Sequence, residues 1–147
     1  MKRIYLLTLL ILFNWGWGVA QSPKWMKKAR KAVFSVITYN DQDEILRTGY
    51  GFFVDSKGIG VSKYTLFEGA KRATILDADG KALEVEVVMG VDDLYDVIKF
   101  KVSTSKSVEA LTPSKEKPQV GDEIHILGYS TQQKEESISG ALNEISQ

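Results

Sequence analysis

Leu83-Glu84-Val85-Glu86-Val87-Val88-Met89, followed eight residues later by Val97-Ile98-Lys99-Phe100-Lys101-Val102, decides the fold class. In both stretches apolar and charged residues alternate with period two, the pattern of a strand with one buried and one wet face. The spacing predicts that Leu83, Val85, Val87 and Met89 share a core face with Ile98 and Phe100. Upstream, Lys81 follows Asp77-Ala78-Asp79-Gly80, which reads as a type I′ turn joining Ala73–Leu76 to this strand. Further strands are expected over 32–39, 45–54, 59–62, 123–127 and 138–145, with turns at Asn40–Asp43, Asp55–Gly58 and Gly121-Asp122. Gly49 and Gly51, alternating with Tyr50 and Phe52, point to a bulge or a close backbone approach inside the second of these. Ser103–Pro118 is polar and reads as a long surface connection. Seven or eight short strands without helix–strand alternation make an all-β, antiparallel barrel or sandwich.

Composition narrows the chemistry. The chain has 147 residues, 19 Lys+Arg against 19 Asp+Glu, 44% hydrophobic residues, no cysteine and one histidine, His125. That suits one globular domain and excludes disulfides, thiolate metal sites and cysteine nucleophiles. A balanced charge gives no global field for nucleic acid. No cofactor or metal is expected, and the Asp77–Gly80 turn lacks the ligand spacing of an EF-hand. Asp92 and Asp93 read as solvated turn residues, and His125, between Ile124 and Ile126, as a surface or hydrogen-bonded strand residue.

Residues 1–20 read as a signal peptide. Lys2 and Arg3 precede an apolar run, Ile4–Phe13, and Gly18-Val19-Ala20 places small residues for a cut before Gln21. Cleavage would leave 127 residues with 17 cations against 19 anions, a net charge of −2. The apolar run is short for a bilayer span, so no stable membrane span is expected after cleavage. The product is expected to be exported, to the bacterial periplasm, envelope or medium. Ser22 as N-cap and Pro23 at the first helical position predict a short helix over 21–31, with Trp25, Met26 and Ala29 on its apolar face. Its basic run, Lys24 to Lys31, reads as a solvated face.

Gly49-Tyr50-Gly51-Phe52-Phe53-Val54 and Gly58-Ile59-Gly60-Val61-Ser62-Lys63-Tyr64-Thr65-Leu66-Phe67-Glu68-Gly69-Ala70 together resemble trypsin-like serine proteases of the Do/Deg (HtrA) type. In that family a G-S-G-F strand precedes a V-T-N-x-H-V-V-x-G-A segment carrying the catalytic His. Tyr95-Asp96-Val97-Ile98-Lys99-Phe100 is similar to the segment carrying the triad Asp. Val120-Gly121-Asp122 to Gly128, and Ser139-Gly140-Ala141-Leu142, resemble the next two strands. The resemblance implies a six- to seven-stranded antiparallel barrel of the chymotrypsin/trypsin-like type over 32–147, the first half of a two-barrel fold, with a short N-terminal helix. It places Asp96 at the triad Asp position and Thr65 at that of the His. A threonine hydroxyl is too weak a base for that task. No G-[ND]-S-G-G nucleophile segment occurs before Gln147, so a second barrel of the same protein is an expected partner. The implied function is an inactive, pseudoprotease domain that retains binding of peptide or protein segments. Two readings stay open beside it: an unrelated β-barrel binding or scaffold module, and an active endopeptidase if the chain continues past Gln147.

Overall fold

The computed structural model describes residues 23–129 and 135–143. Helix α1 (Lys24–Ala32) leads into six strands: β1 (Val33–Tyr39), β2 (Ile45–Asp55), β3 (Ile59–Ser62), β4 (Arg72–Leu76), β5 (Ala82–Asp92) and β6 (Val97–Val102). They close into an antiparallel barrel in the order β1-β2-β3-β6-β5-β4. A hairpin, β7 (Glu123–Tyr129) and β8 (Glu135–Ala141), forms a separate two-stranded sheet. The all-β barrel with one short helix is thus the observed architecture. The barrel itself closes within 33–102, and the last strand runs over Glu135–Ala141, earlier than the start expected at 138, with residues 144–145 of the expected stretch outside the described residues.

Period-two patterning does the sorting. On β6, Ile98, Phe100 and Val102 are buried while Val97, Lys99 and Lys101 are exposed. With Phe34, Val36, Phe53, Ile75 and Leu83 they fill the barrel. Phe34 is the hub, its ring tilted on Phe53 at 4.6 Å and edge-on to Phe100 at 6.0 Å. Room for it comes from glycine. A Cβ on Gly51 would overlap the Phe34 ring and lie 2.6 Å from the Val61 carbonyl oxygen, and one on Gly60 would lie 2.9 Å from that ring. The glycines of β2 therefore mark a close approach, as the sequence indicated.

Several expectations need correction. On β5 Leu83 is buried and Val85 packs on the core, but Val87 and Met89 are half exposed. Register shifts between Val85 and Val87, and between Val88 and Gly90, break the alternation. Each inserts an extra residue, which rotates later side chains off the expected face. The Asp77–Gly80 turn is not type I′, because only Gly80 has positive φ (76°) there. Asp77 Oδ1 accepts from the amides of Asp79 and Lys81, and the Lys81 carbonyl accepts from Asp77 N, the pattern of a type I turn closed by a glycine bulge. The Ser103–Pro118 connection is not merely a surface loop. Val108 N and Leu111 N donate to the carbonyls of Ser56 and Phe53, and Val108 and Ala110 pack against the core. In α1, Pro23 takes the N-cap position and Ser22 lies outside the described residues. Met26 is buried there, whereas Trp25 is 52% exposed.

Candidate functional site

Strand register brings two loops together at one rim of the barrel. Ser62 of β3 stands opposite Ile98 of β6 in antiparallel pairing. Two residues beyond one strand end therefore face two residues before the other, which puts residue 64 beside residue 96. After Ser62 the chain turns into a 3-10 helix, Tyr64–Leu66, whose Leu66 and following Phe67 tuck against the core. Leu66 seats over Gly49, where a Cβ would collide with its side chain. Phe67 packs its ring 5.2 Å from Phe100. On the other side, Asp93-Leu94-Tyr95 turns the chain back into β6, with Tyr95 N donating to Asp92 Oδ1 at 3.1 Å. Asp93 is an exposed turn residue, as expected, whereas Asp92, also exposed, is the last residue of β5 and pairs with Val97.

Asp96 joins the loops. Its carbonyl accepts from Tyr64 N at 3.2 Å, its Oδ1 from Thr65 N at 2.7 Å and its Oδ2 from the Thr65 hydroxyl at 3.1 Å. Tyr64 and Thr65 open a 3-10 turn, so their amides lack partners within it, and Asp96 supplies them from across the rim. A carboxylate accepting a backbone N–H makes a short, charge-assisted bond, and such a cap contributes about 1 kcal/mol. Asp96 holds φ at 53°, a left-handed conformation that Asp tolerates better than most side chains. Thr65 is exposed and Asp96 half-buried.

The structure therefore brings together the two residues the resemblance singled out, although they are 31 positions apart. Thr65 cannot do what an imidazole does in this position. Both Asp96 oxygens are engaged by one residue that cannot take a proton from a nucleophile. His125 does not stand in. It sits on β7 with its ring edge-on to Trp25 at 5.1 Å and Nε2 3.4 Å from Glu123 Oε1. Among the described residues no group of three His, Cys, Asp or Glu side chains has the makings of a metal site. No described helix is long and apolar enough to cross a membrane.

Sequence reading passed over the apolar surface flanking the pair. Leu94 and Tyr95, adjoining Asp96, are 81% and 74% exposed, and Val91 and Val97 are partly exposed beside them. The available signal was two large apolar residues inside an acidic turn, where solvated residues are the norm. A shallow cavity of roughly 200 Å³ lies elsewhere, lined by Lys31, Phe53, Asp77, Asp79, Val108 and Glu109. None of these belongs to the Thr65–Asp96 rim. No protein-family model matches this chain, and no curated protein matches it in sequence.

Proposed function

We propose that residues 33–102 form the first barrel of an exported, trypsin-like domain of the Do/Deg type that binds peptide or protein segments without hydrolysing them. The observation that carries this reading is the Thr65–Asp96 pair. A serine-protease triad uses its Asp to orient and stabilise an imidazole, which takes the proton of the attacking hydroxyl. Here the Asp position is kept and hydrogen-bonded to the residue at the base position, and that residue is a threonine. A carboxylate in this setting holds a loop in place; it has no proton to help move. The exposed Leu94 and Tyr95 beside it supply apolar area that an extended segment can cover. Hairpin β7–β8 forms its own sheet outside the closed barrel, and a second barrel of the same protein is an alternative occupant of the rim. The n-region, apolar run and small residues of Met1–Ala20 support export.

The test is backbone amide NMR of the full chain titrated with a reduced, alkylated and therefore unfolded model protein. Shifts gathered over 64–67 and 91–97, with the added protein intact on a gel, support the proposal. Cleavage of the added protein contradicts the inactive reading, and the absence of any shift at this rim contradicts the binding role.

A further inference from the structure

Helix α1 carries a face that neither the barrel nor the rim site uses. Lys24, Lys27, Lys28 and Lys31 follow i, i+3, i+4, i+7 spacing and are all exposed, so they form one stripe along the helix. The opposite side buries Met26, which turns the stripe outward. Trp25 sits on the border of the stripe and is 52% exposed, although its ring edge touches His125. Counter-charges gather at the C-terminal end of the stripe. Glu109 Oε2 lies 3.7 Å from Lys28 Nζ, and Asp77, Asp79 and Glu109 share a cavity wall with Lys31. No such partner is found for Lys24 or Lys27 among the described residues. Along the sequence the charge is unevenly divided. Residues 21–40 hold five cations and no acid, while residues 41–147 hold 12 cations against 19 acids, a net charge of −7.

We infer that α1 is a docking element for an anionic phospholipid surface, lying flat with its lysine stripe among the headgroups and Trp25 at their apolar boundary. A molecule of this polarity approaches a negative surface helix-first, because the acidic remainder is repelled. Each lysine near such a surface adds to the attraction, and a half-exposed indole flanked by lysines suits the interface, where its ring is apolar and its N–H wet. A polyanion such as DNA would use the lysines but offers no apolar boundary for Trp25, which favours lipid.

The experiment uses the exported protein beginning at Gln21, in which Trp25 is the sole indole. Vesicles of phosphatidylcholine alone are compared with vesicles containing 30% phosphatidylglycerol, by co-sedimentation and by Trp emission. The expected result is added binding on the anionic vesicles, with a blue shift of emission, both reversed by high salt. Substitution of Lys24, Lys27, Lys28 and Lys31 by Gln should lower the anionic-vesicle partition on the order of a thousandfold, toward the level on neutral lipid. Circular dichroism confirms that the variant, altered only at exposed positions, stays folded. Equal binding to both vesicle types, unchanged binding of the four-Gln variant, or capture by duplex DNA without capture by vesicles would overturn the inference.

Discussion

Replacing one glycine by alanine should have opposite consequences at two places in this barrel. At Gly51 the added methyl falls 2.6 Å from the Val61 carbonyl oxygen and into the Phe34 ring. Gly51 pairs with Phe34 on one side and Ser62 on the other, so neither neighbouring strand can retreat alone. Alanine restrains the unfolded chain better than glycine, a gain of about 0.5–1 kcal/mol. Overpacking a filled interior costs roughly 1–3 kcal/mol, and a backbone oxygen as the obstacle puts this case at the upper end. The net is a loss of about 2 kcal/mol, or roughly 8–16 °C in melting temperature for a barrel of this size. Gly90, on the exposed part of β5, has nothing within 4 Å of its would-be Cβ. Gly90→Ala should therefore be neutral or raise the melting temperature by a few degrees. Thermal unfolding of both variants, followed by circular dichroism, decides the matter. Equal shifts in the two would refute the close approach of β2 to Phe34 and β3.

The rim predicts a ranking at Asp96. Asp96→Ala loses the cap on Thr65 and places alanine in a left-handed conformation, about 2 kcal/mol together, whereas Asp96→Gly loses only the cap, about 1 kcal/mol. Urea unfolding with alanine no worse than glycine would contradict the assigned φ. On β5, Val85→Asp brings a charge against the core and should cost on the order of 2–3 kcal/mol, while Val87→Asp, half exposed opposite Lys101, should stay within about 0.5 kcal/mol. Similar melting curves for the two would mean the bulge at Glu86 is absent. N-terminal sequencing of the exported protein should return Gln21 first; recovery of Met1 would contradict cleavage.

What could be read from sequence follows the reach of each signal. β6 was legible because a strand with one face in the core must alternate, and Ile98, Phe100 and Val102 do so without interruption. β5 starts the same way and then departs, since its register shifts arise from pairing with β6 and leave no local mark. Turn class at Asp77–Gly80 depends on one backbone angle at Asp79, which an Asp-Gly pair alone does not specify. Trp25 is expected on the apolar face of α1 with Met26 and Ala29, yet the residues of α1 that are buried are Met26 and Ala32. The Thr65–Asp96 contact is legible neither from periodicity nor from composition. It requires the register of β3 on β6, and only the resemblance named both positions beforehand. What it means chemically follows from side-chain type alone, because no pairing can make threonine a base at neutral pH.

The central claim, that this site binds rather than cuts, is tested most directly by an active-site-directed fluorophosphonate. Such a probe reacts only with a serine whose proton is taken by a positioned base and whose oxyanion is stabilised. Incubated with the unmodified chain and analysed by intact mass, it should leave the protein unlabelled, with or without Asp96→Ala. Stoichiometric labelling that disappears when one serine is replaced would contradict the account.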